Sequence, residues 1–349
     1  MSTKTYLLRP LFRDFITKSE KGQREKYPGK KLTKGTIRQY EFVDQLLEEY
    51  ENLDGAPIRL LVYKGTSTRI LGQEKRYWQR FLRQFLDFLY SRKKHHDSYV
   101  AAVLKTIRAC INYIIQDKHL PVVSFHKSFK VKAPSIEPVI LSPQQLQFLI
   151  HDRPFSERLS PRLARTKDLF VFGCTVGLRY SDLMALERKH LIPTDQGYSL
   201  NIRTQKTGTP VQIPLPPYLI DIIKRYKSPR NRYLLPRLSS TNVNLQVKEL
   251  CIEAGWDHPL PKLRHRRGRV VEQRTADGGT QTFAGQVTAH TMRRTAITTL
   301  LIMGVPELAV RRISGHAPGS KEFYKYVVIA QDYVNQHLTH AFSKLSNPN

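Results

Sequence analysis

Gly177-Leu178-Arg179-Tyr180-Ser181-Asp182-Leu183 places a glycine break between two apolar helical patterns, with an arginine just past the break. The pattern before it runs from Leu163 to Cys174, and the one after it from Leu183 to Leu186. An arginine so placed is held rigid and partly desolvated, and its planar fork suits phosphate oxygens. An ordinary arginine paired with Asp182 fits the same stretch, so it decides nothing by itself.

Downstream, Tyr198 to Arg203 alternates as a strand, and Val211 to Leu215 reads as its partner across a turn at Gly208. The tip, Arg203-Thr204-Gln205-Lys206-Thr207-Gly208, carries a lysine that can protonate a leaving oxygen or simply be solvated. Lys262 to Arg269 (KLRHRRGR) is a basic block, and Asp277-Gly278-Gly279 within Val270 to Val287 is a hairpin signal. Thr291 to Met303 reads as a helix ending at Gly304, and Pro306 opens another. At the head of the first, His290-Thr291-Met292-Arg293 puts an imidazole and a guanidinium three apart, on one helix face. No carboxylate or cysteine nearby completes a zinc set. Then come Ser314-Gly315-His316-Ala317-Pro318 and Phe323-Tyr324-Lys325-Tyr326. A phenol there can act as a nucleophile, or the tyrosines are a pair of core or interface aromatics.

Upstream, Ser142-Pro143-Gln144-Gln145 is a capping box with proline in the first helical position, and a domain boundary falls just before it. Residues 121–140, with Pro121, Pro134 and Pro138, read as a linker. Before them, Thr36–Leu53, Arg76–Tyr90 and Ser98–Ile115 repeat apolar residues at helical spacing, with Lys105 and Arg108 off the stripe. Residues 1–34 hold ten Lys or Arg against three acids, with one apolar patch around Leu7, Phe12 and Ile16. The expected division is a basic segment 1–34, a helical domain 35–120, the linker 121–140 and a mixed domain 141–349.

Across all 349 residues, 57 Lys and Arg stand against 29 acids, a net charge of +28. Such self-repulsion is relieved by a polyanion, and phosphate-bound counterions released on contact drive nucleic-acid binding. An anionic membrane or mere solubility are the blander readings. Cys110, Cys174 and Cys251 are far apart, odd in number and without zinc spacing. The start, MSTKTYLLRPLFRDF, lacks a signal-peptide core, and no apolar run was expected to reach membrane-spanning length. A reduced, cytoplasmic compartment and no membrane partner are the expectation.

Each stretch is modest, but their order along one chain is specific. GLRYSDL, RTQKTG, HTMRR, SGH and FYKY, with Ala309-Val310-Arg311-Arg312-Ile313-Ser314-Gly315-His316, resemble the tyrosine recombinase (phage integrase) family. The chain is most similar to mobile-element integrases of Bacteroides-type bacteria. The resemblance is good over about Ile140 to Leu338 and looser before it. It implies a mainly α fold with a small antiparallel β-sheet: a helical SAM-like core-binding domain and an α+β catalytic domain, clamped around duplex DNA. Carried over by position, Arg179 and Arg293 match the catalytic arginines, Lys206 the hairpin lysine, His290 and His316 the two histidine positions, and Asp182 the acid supporting Arg179. The family's tyrosine lies about nine residues past the second histidine, whereas Tyr324 lies eight and Tyr326 ten past His316. Aligning Phe323, Tyr326, Val327 and Val328 with the family pattern makes Tyr326 the nucleophile, with Tyr324 second, and implies one extra residue in the Ala317–Lys321 loop. Lys105, Arg108, Arg203, Lys262, Arg264, Arg266, Arg267 and Arg294 are the expected DNA contacts. The resemblance further implies strand cleavage and ligation without metal, ATP or other cofactor, a homo-tetramer on paired sites, DNA-bending or excision accessory proteins, and a bacterial, nucleoid-associated location. A type IB topoisomerase-like enzyme, or a non-cleaving DNA-binding protein of the same fold, are the alternatives.

Overall fold

The computed structural model describes residues 3–346 except Pro28, Ser124, Ser135, Arg230 and Pro318. The chain divides into two units: one of Met1–Ile136 with Leu263–Glu272, the other of Glu137–Lys262 with Gln273–Asn349.

The first unit is built from β1 (Lys4–Leu7), α1 (Leu8–Glu20), β2 (Glu25–Tyr27), β3 (Lys30–Lys31), α2 (Lys34–Asp54), β4 (Arg59–Val62), α3 (Thr68–Asp87) and α4 (Asp97–Gln116). Residues 1–34, expected to stand apart as a basic segment, are part of it. β1 pairs antiparallel with β4, and Leu8, Phe12, Phe15 and Ile16 of α1 lie in the core with Trp78, Phe81 and Phe85 of α3. Burying each such side chain is worth ~1.5–3 kcal/mol, which the charge of the segment does not outweigh. α3 runs into a π-helical turn, Phe88–Arg92, in which Phe88, Leu89 and Tyr90 are buried in succession. α4 is long and apolar enough to cross a membrane, contrary to the expectation that no run would be. Its apolar residues, from Val100 to Ile114, belong to this core.

The basic block supplies a correction. The hairpin turns at Arg267-Gly268, between strands Leu263–Arg266 and Arg269–Glu272, and Asp277–Gly279 is a turn outside any strand. The cause is a distant carboxylate. Asp97, fully buried, accepts the Arg267 amide at 2.8 Å, the Gly268 amide at 2.9 Å and the Tyr90 hydroxyl at 2.6 Å.

The second unit begins with α5 (Pro143–His151), where Ser142 and Gln145 form the expected capping box. α6 (Arg153–Arg158) leads into α7 (Pro161–Val176), which is buried along nearly its whole length and packs on later helices. Leu169 to Cys174 is buried without a break, which marks a core helix. α8 (Tyr180–Met184) follows the Gly177 cap. The sheet is β5 (Leu191–Thr194), β6 (Gly197–Arg203) and β7 (Pro210–Leu215), antiparallel, with Leu200 opposite Ile213 and Ile202 opposite Val211. Then come α9 (Pro217–Arg225), α10 (Ser240–Glu253), α11 (Phe283–Gln286), α12 (Ala289–Ile302), α13 (Glu307–Ser314) and α14 (Lys321–Ser346). α7 packs against α12 so closely that a Cβ on Gly173 would stand 2.4 Å from Met292 Sδ and 3.0 Å from Met292 Cβ.

Candidate active site

Four separated stretches converge where α7 ends. Arg293, on the first turns of α12, is 3% exposed. Its Nη1 donates to the Gly177 carbonyl at 3.0 Å and its Nη2 to the Ser314 carbonyl at 2.5 Å. One guanidinium thus ties the C-terminus of α7 to that of α13, and two backbone acceptors fix its plane. Beyond Ser314 the chain reverses at Gly315 in a left-handed conformation (φ 61°) that disfavours any side chain. A Cβ there would lie 3.6 Å from Thr204 Cγ2 and 4.0 Å from Arg179 Nη1. That turn brings the β6–β7 loop, Arg179 and His316 together.

His316 follows, with Arg293 Nη2 at 3.2 Å from Nε2 and 3.3 Å from Nδ1. Ser314 Oγ sits 2.9 Å from Nδ1 and also 2.6 Å from the Val310 carbonyl. The hydroxyl gives its proton to that carbonyl, so Nδ1–H donates to Oγ and Nε2 carries the lone pair. Partial burial, then the charges of Arg293 and Arg179, push His316 down to about 4. His290 is also pushed to about 4, by burial and then by Arg294, Arg293 and Arg179, although its ring keeps an exposed surface. Arg293 itself is lowered to about 10, by burial first and by Arg179 second. Arg179 Nη1 is buried and has no hydrogen-bond acceptor among the described residues.

The two tyrosines separate cleanly. Tyr326 is 6% exposed, on the inner face of α14, with its ring centroid 6.1 Å from that of His316. It shares a small apolar cluster with Ile297, Val310 and Phe323. Tyr324 is 49% exposed and stacks outward under the Arg311 guanidinium at 5.1 Å. The loop residue count implied by the family alignment spans Pro318, outside the described residues.

Asp182 has a different partner from the one expected. It is buried, and its Oδ1 accepts the backbone amide of Gln205 at 2.8 Å, next to Lys206 at the hairpin tip. No hydrogen bond joins it to Arg179 among the described residues, and its Oδ2 is buried without a partner. The sequence reading also assigned nothing to Ser314, although SGH was in view; the signal was a hydroxyl two residues before a histidine.

The expected DNA contacts divide. Lys105 and Arg203 are exposed, and Lys262, Arg264 and Arg294 are half-buried. Arg108 has its Nε buried without an acceptor among the described residues. Arg266 and Arg267 also tie the hairpin to the end of α3 and the π-helical turn. Arg266 donates to the Tyr90 carbonyl, and Arg267 donates to Asp87 at 2.5 Å and Ser91 at 2.8 Å, with its guanidinium over the Tyr90 ring. Sequence reasoning passed over Arg69, Arg76, Arg80 and Arg83, which stand exposed along one face of α3 with no ion pair among the described residues.

The chain was compared with known proteins. No curated protein matches it significantly. Solved structures of similar fold include a lambda integrase dimer bound to a COC' core site, 13% identical over 93% of this chain and 78% of that one, with a TM-score of 0.57. The Tn1549 transposon integrase in complex with circular intermediate DNA is 16% identical over 92% and 94%, with a TM-score of 0.56. The XerH recombinase in a post-cleavage complex with palindromic difH is 14% identical over 97% and 96%, with a TM-score of 0.57. The sequence pattern described as the Phage integrase family matches residues 140–330, more than half of the chain. That segment supplies Arg179, Lys206, His290, Arg293, His316 and Tyr326, and with it the chain belongs to the phage integrase family of site-specific DNA recombinases.

Proposed function

We propose that this recombinase cleaves DNA by attack of Tyr326 on a backbone phosphorus, leaving a 3′-phosphotyrosyl link and a free 5′-hydroxyl. The observation that carries the assignment is the burial of Tyr326 beside His316 while Tyr324 faces outward. The P–O5′ bond breaks as the P–Oη bond forms. Lys206, on a hairpin tip pinned through Gln205 and Asp182, protonates the departing oxygen. His290, neutral in the free enzyme, takes the phenol proton once a phosphate offsets the surrounding arginines. Arg179, Arg293 and His316 hold the non-bridging oxygens, each fixed donor worth ~2.7–4 kcal/mol in the transition state. A partner strand's 5′-hydroxyl reverses the step. The bond energy stays in the link, so neither ATP nor metal is called for.

Double-stranded DNA is the substrate in this reading. The exposed arginines of α3 and Lys105 suit contact with its phosphates, and the DNA complexes of the similar structures support the same partner. The task is movement of a mobile element in a bacterial cytoplasm, at the nucleoid, by a tetramer on paired sites with accessory DNA-bending proteins. Val328, Val334, Leu338 and Phe342 stay exposed on α14 and supply an apolar surface for a second protomer.

A nicked duplex that traps the covalent link tests the nucleophile. Tyr326→Phe should give no trapped protein while retaining DNA binding, and Tyr324→Phe should trap normally. Trapping by Tyr326→Phe would overturn the assignment.

A further inference from the structure

We propose that the second unit carries an anion pocket, apart from the catalytic cluster, that binds a phosphate, free or borne by a small monoester. The cavity measures about 410 Å³, and Ser156, Lys167, Asp168, Arg153, His151 and Arg225 are among its walls. Lys167, on α7, is 7% exposed. Its ammonium has three protons to donate, yet its only hydrogen bond among the described residues is to Ser156 Oγ at 2.6 Å.

The nearest carboxylate does not satisfy it. Asp168 Oδ1 stands 4.0 Å from Lys167 Nζ, and Oδ2 is already taken by Arg225 at 2.5 Å and the Tyr226 hydroxyl at 2.8 Å. Asp221, the other acid in the wall, faces Lys224 at 3.4 Å. Arg153 and His151 are exposed at the rim and form no ion pair among the described residues. Within the pocket Asp168 is spent on Arg225 and reaches Lys167 only at 4.0 Å, and Asp221 faces Lys224, so Lys167 and Arg153 are left without a close carboxylate among the described residues. Burial pushes the Lys167 ammonium downward, and an anion seated on it would relieve that penalty. A cluster of donors around a wet hollow, lacking one negative charge, suits a compact oxyanion.

The pocket also touches the helix that presents Arg179. Tyr218 lines it, and the Tyr218 hydroxyl meets Thr175 Oγ1 at 3.0 Å in the last turn of α7. Filling the pocket would stiffen that turn. The site does not depend on the catalytic assignment.

The test is calorimetric titration and thermal unfolding of the full chain, with sodium phosphate against sodium chloride at equal ionic strength. Because the chain is so basic, pocket variants define the site. Phosphate should bind and raise the unfolding midpoint of wild type and of Arg179→Ala. Made in the Arg179→Ala background, where the catalytic cluster is weakened, Arg153→Ala should need at least threefold more phosphate, and Lys167→Met should remove the response that Arg179→Ala alone retains. If Lys167→Met fails to fold, Ser156→Ala combined with Arg153→Ala takes its place. A nucleoside 5′-monophosphate arm assigns the source: tighter binding than inorganic phosphate means a monoester, equal or weaker binding means the free ion. No response beyond chloride, or an undiminished response in the pocket variants, would mean that the cavity holds water only, and the proposal fails.

Discussion

Asp182→Ala separates positioning of the leaving-group acid from stabilisation of phosphate charge. The buried carboxylate holds the Gln205 amide at 2.8 Å, one residue before Lys206. A hydrogen bond to a charged group contributes about 1.5–3 kcal/mol, and its removal leaves the amide without that acceptor. If all of this appears as loss of a placed lysine, strand cleavage slows about 10- to 150-fold, since ~1.4 kcal/mol is tenfold. That is less than the roughly 10²- to 10⁴-fold expected for removing a general acid outright with Lys206→Ala. Asp182→Asn can still accept through its amide oxygen and should lose at most about tenfold, as a neutral acceptor retains part of the bond. Single-turnover cleavage of a nicked duplex gives the rates. The deciding comparison replaces the bridging 5′-oxygen by sulfur, which leaves as a thiolate and needs no proton. On that substrate Asp182→Ala and Lys206→Ala should come within about threefold of wild type, while Arg179→Ala stays defective. If Asp182→Ala stays as slow as Arg179→Ala there, the carboxylate acts through the cations, and the positioning argument is wrong.

Three further outcomes follow from the geometry. Asp97→Asn puts an NH₂ against one of three donors, so the Leu263–Glu272 hairpin should loosen by ~2–3 kcal/mol, read as about 30- to 150-fold faster amide exchange there; unchanged protection would show that the strands hold themselves. Gly173→Ala adds helix propensity of up to ~1 kcal/mol but forces Met292, and α12 with it, away from α7 at ~1–3 kcal/mol, so it should lower the unfolding midpoint and slow cleavage; a raised midpoint would contradict the close packing. Burial and the neighbouring arginines push His316 and His290 down to about 4 in the folded chain, below their ordinary 6.5, so the unfolded chain binds the protons first as pH falls. Their contribution to stability is full above about 6.5 and is lost toward 4. The midpoint drop between pH 7.5 and 4.5 should shrink in His316→Gln/His290→Gln, and an equal drop would remove these groups as its cause.

The sequence made visible those parts of the fold that local rules govern. Ser142-Pro143-Gln144-Gln145 needs nothing beyond its own four residues to cap α5, and the period from Leu163 to Cys174 needs only its own side chains. The hairpin was misplaced because Asp277-Gly278-Gly279 is the better local turn, whereas Arg267-Gly268 turns around a carboxylate 170 residues earlier. α1 was hidden by the charge of residues 1–34, which says nothing of how deeply Phe12 and Phe15 are packed. At the candidate site, the residue types could be read but their partners could not. Nothing local says that Asp182 faces Gln205, that Ser314 fixes the tautomer of His316, or that two carbonyls hold Arg293. A two-residue offset on a helix is about 200°, so the structure could separate Tyr326 from Tyr324 where a spacing rule could not.

The three lowered proton affinities share a meaning. Arg293, His316 and His290 are all pushed the same way, and the charge of Arg179 contributes to each. A cation cluster built only for stability would place carboxylates among its members, because buried charge without a counter-ion is destabilising. Here the buried carboxylate nearby, Asp182, is turned to a backbone amide, and Arg293 is held by carbonyl oxygens that carry no net charge. The fold thus fixes the donors while Asp182 offsets Arg293 without a direct ion pair, and in the mechanism we propose that arrangement favours a transition state more negative than its ground state. In the proposed mechanism an arriving phosphate reverses the balance. It raises the affinity of His316 for a proton at Nε2, the nitrogen left free by Ser314, and converts that ring from a neutral neighbour of Arg293 into a further donor. In the proposed mechanism the stability given up in holding the arginines without close acids is returned when a phosphate occupies the site, so that affinity for the reacting group and its activation would have one cause.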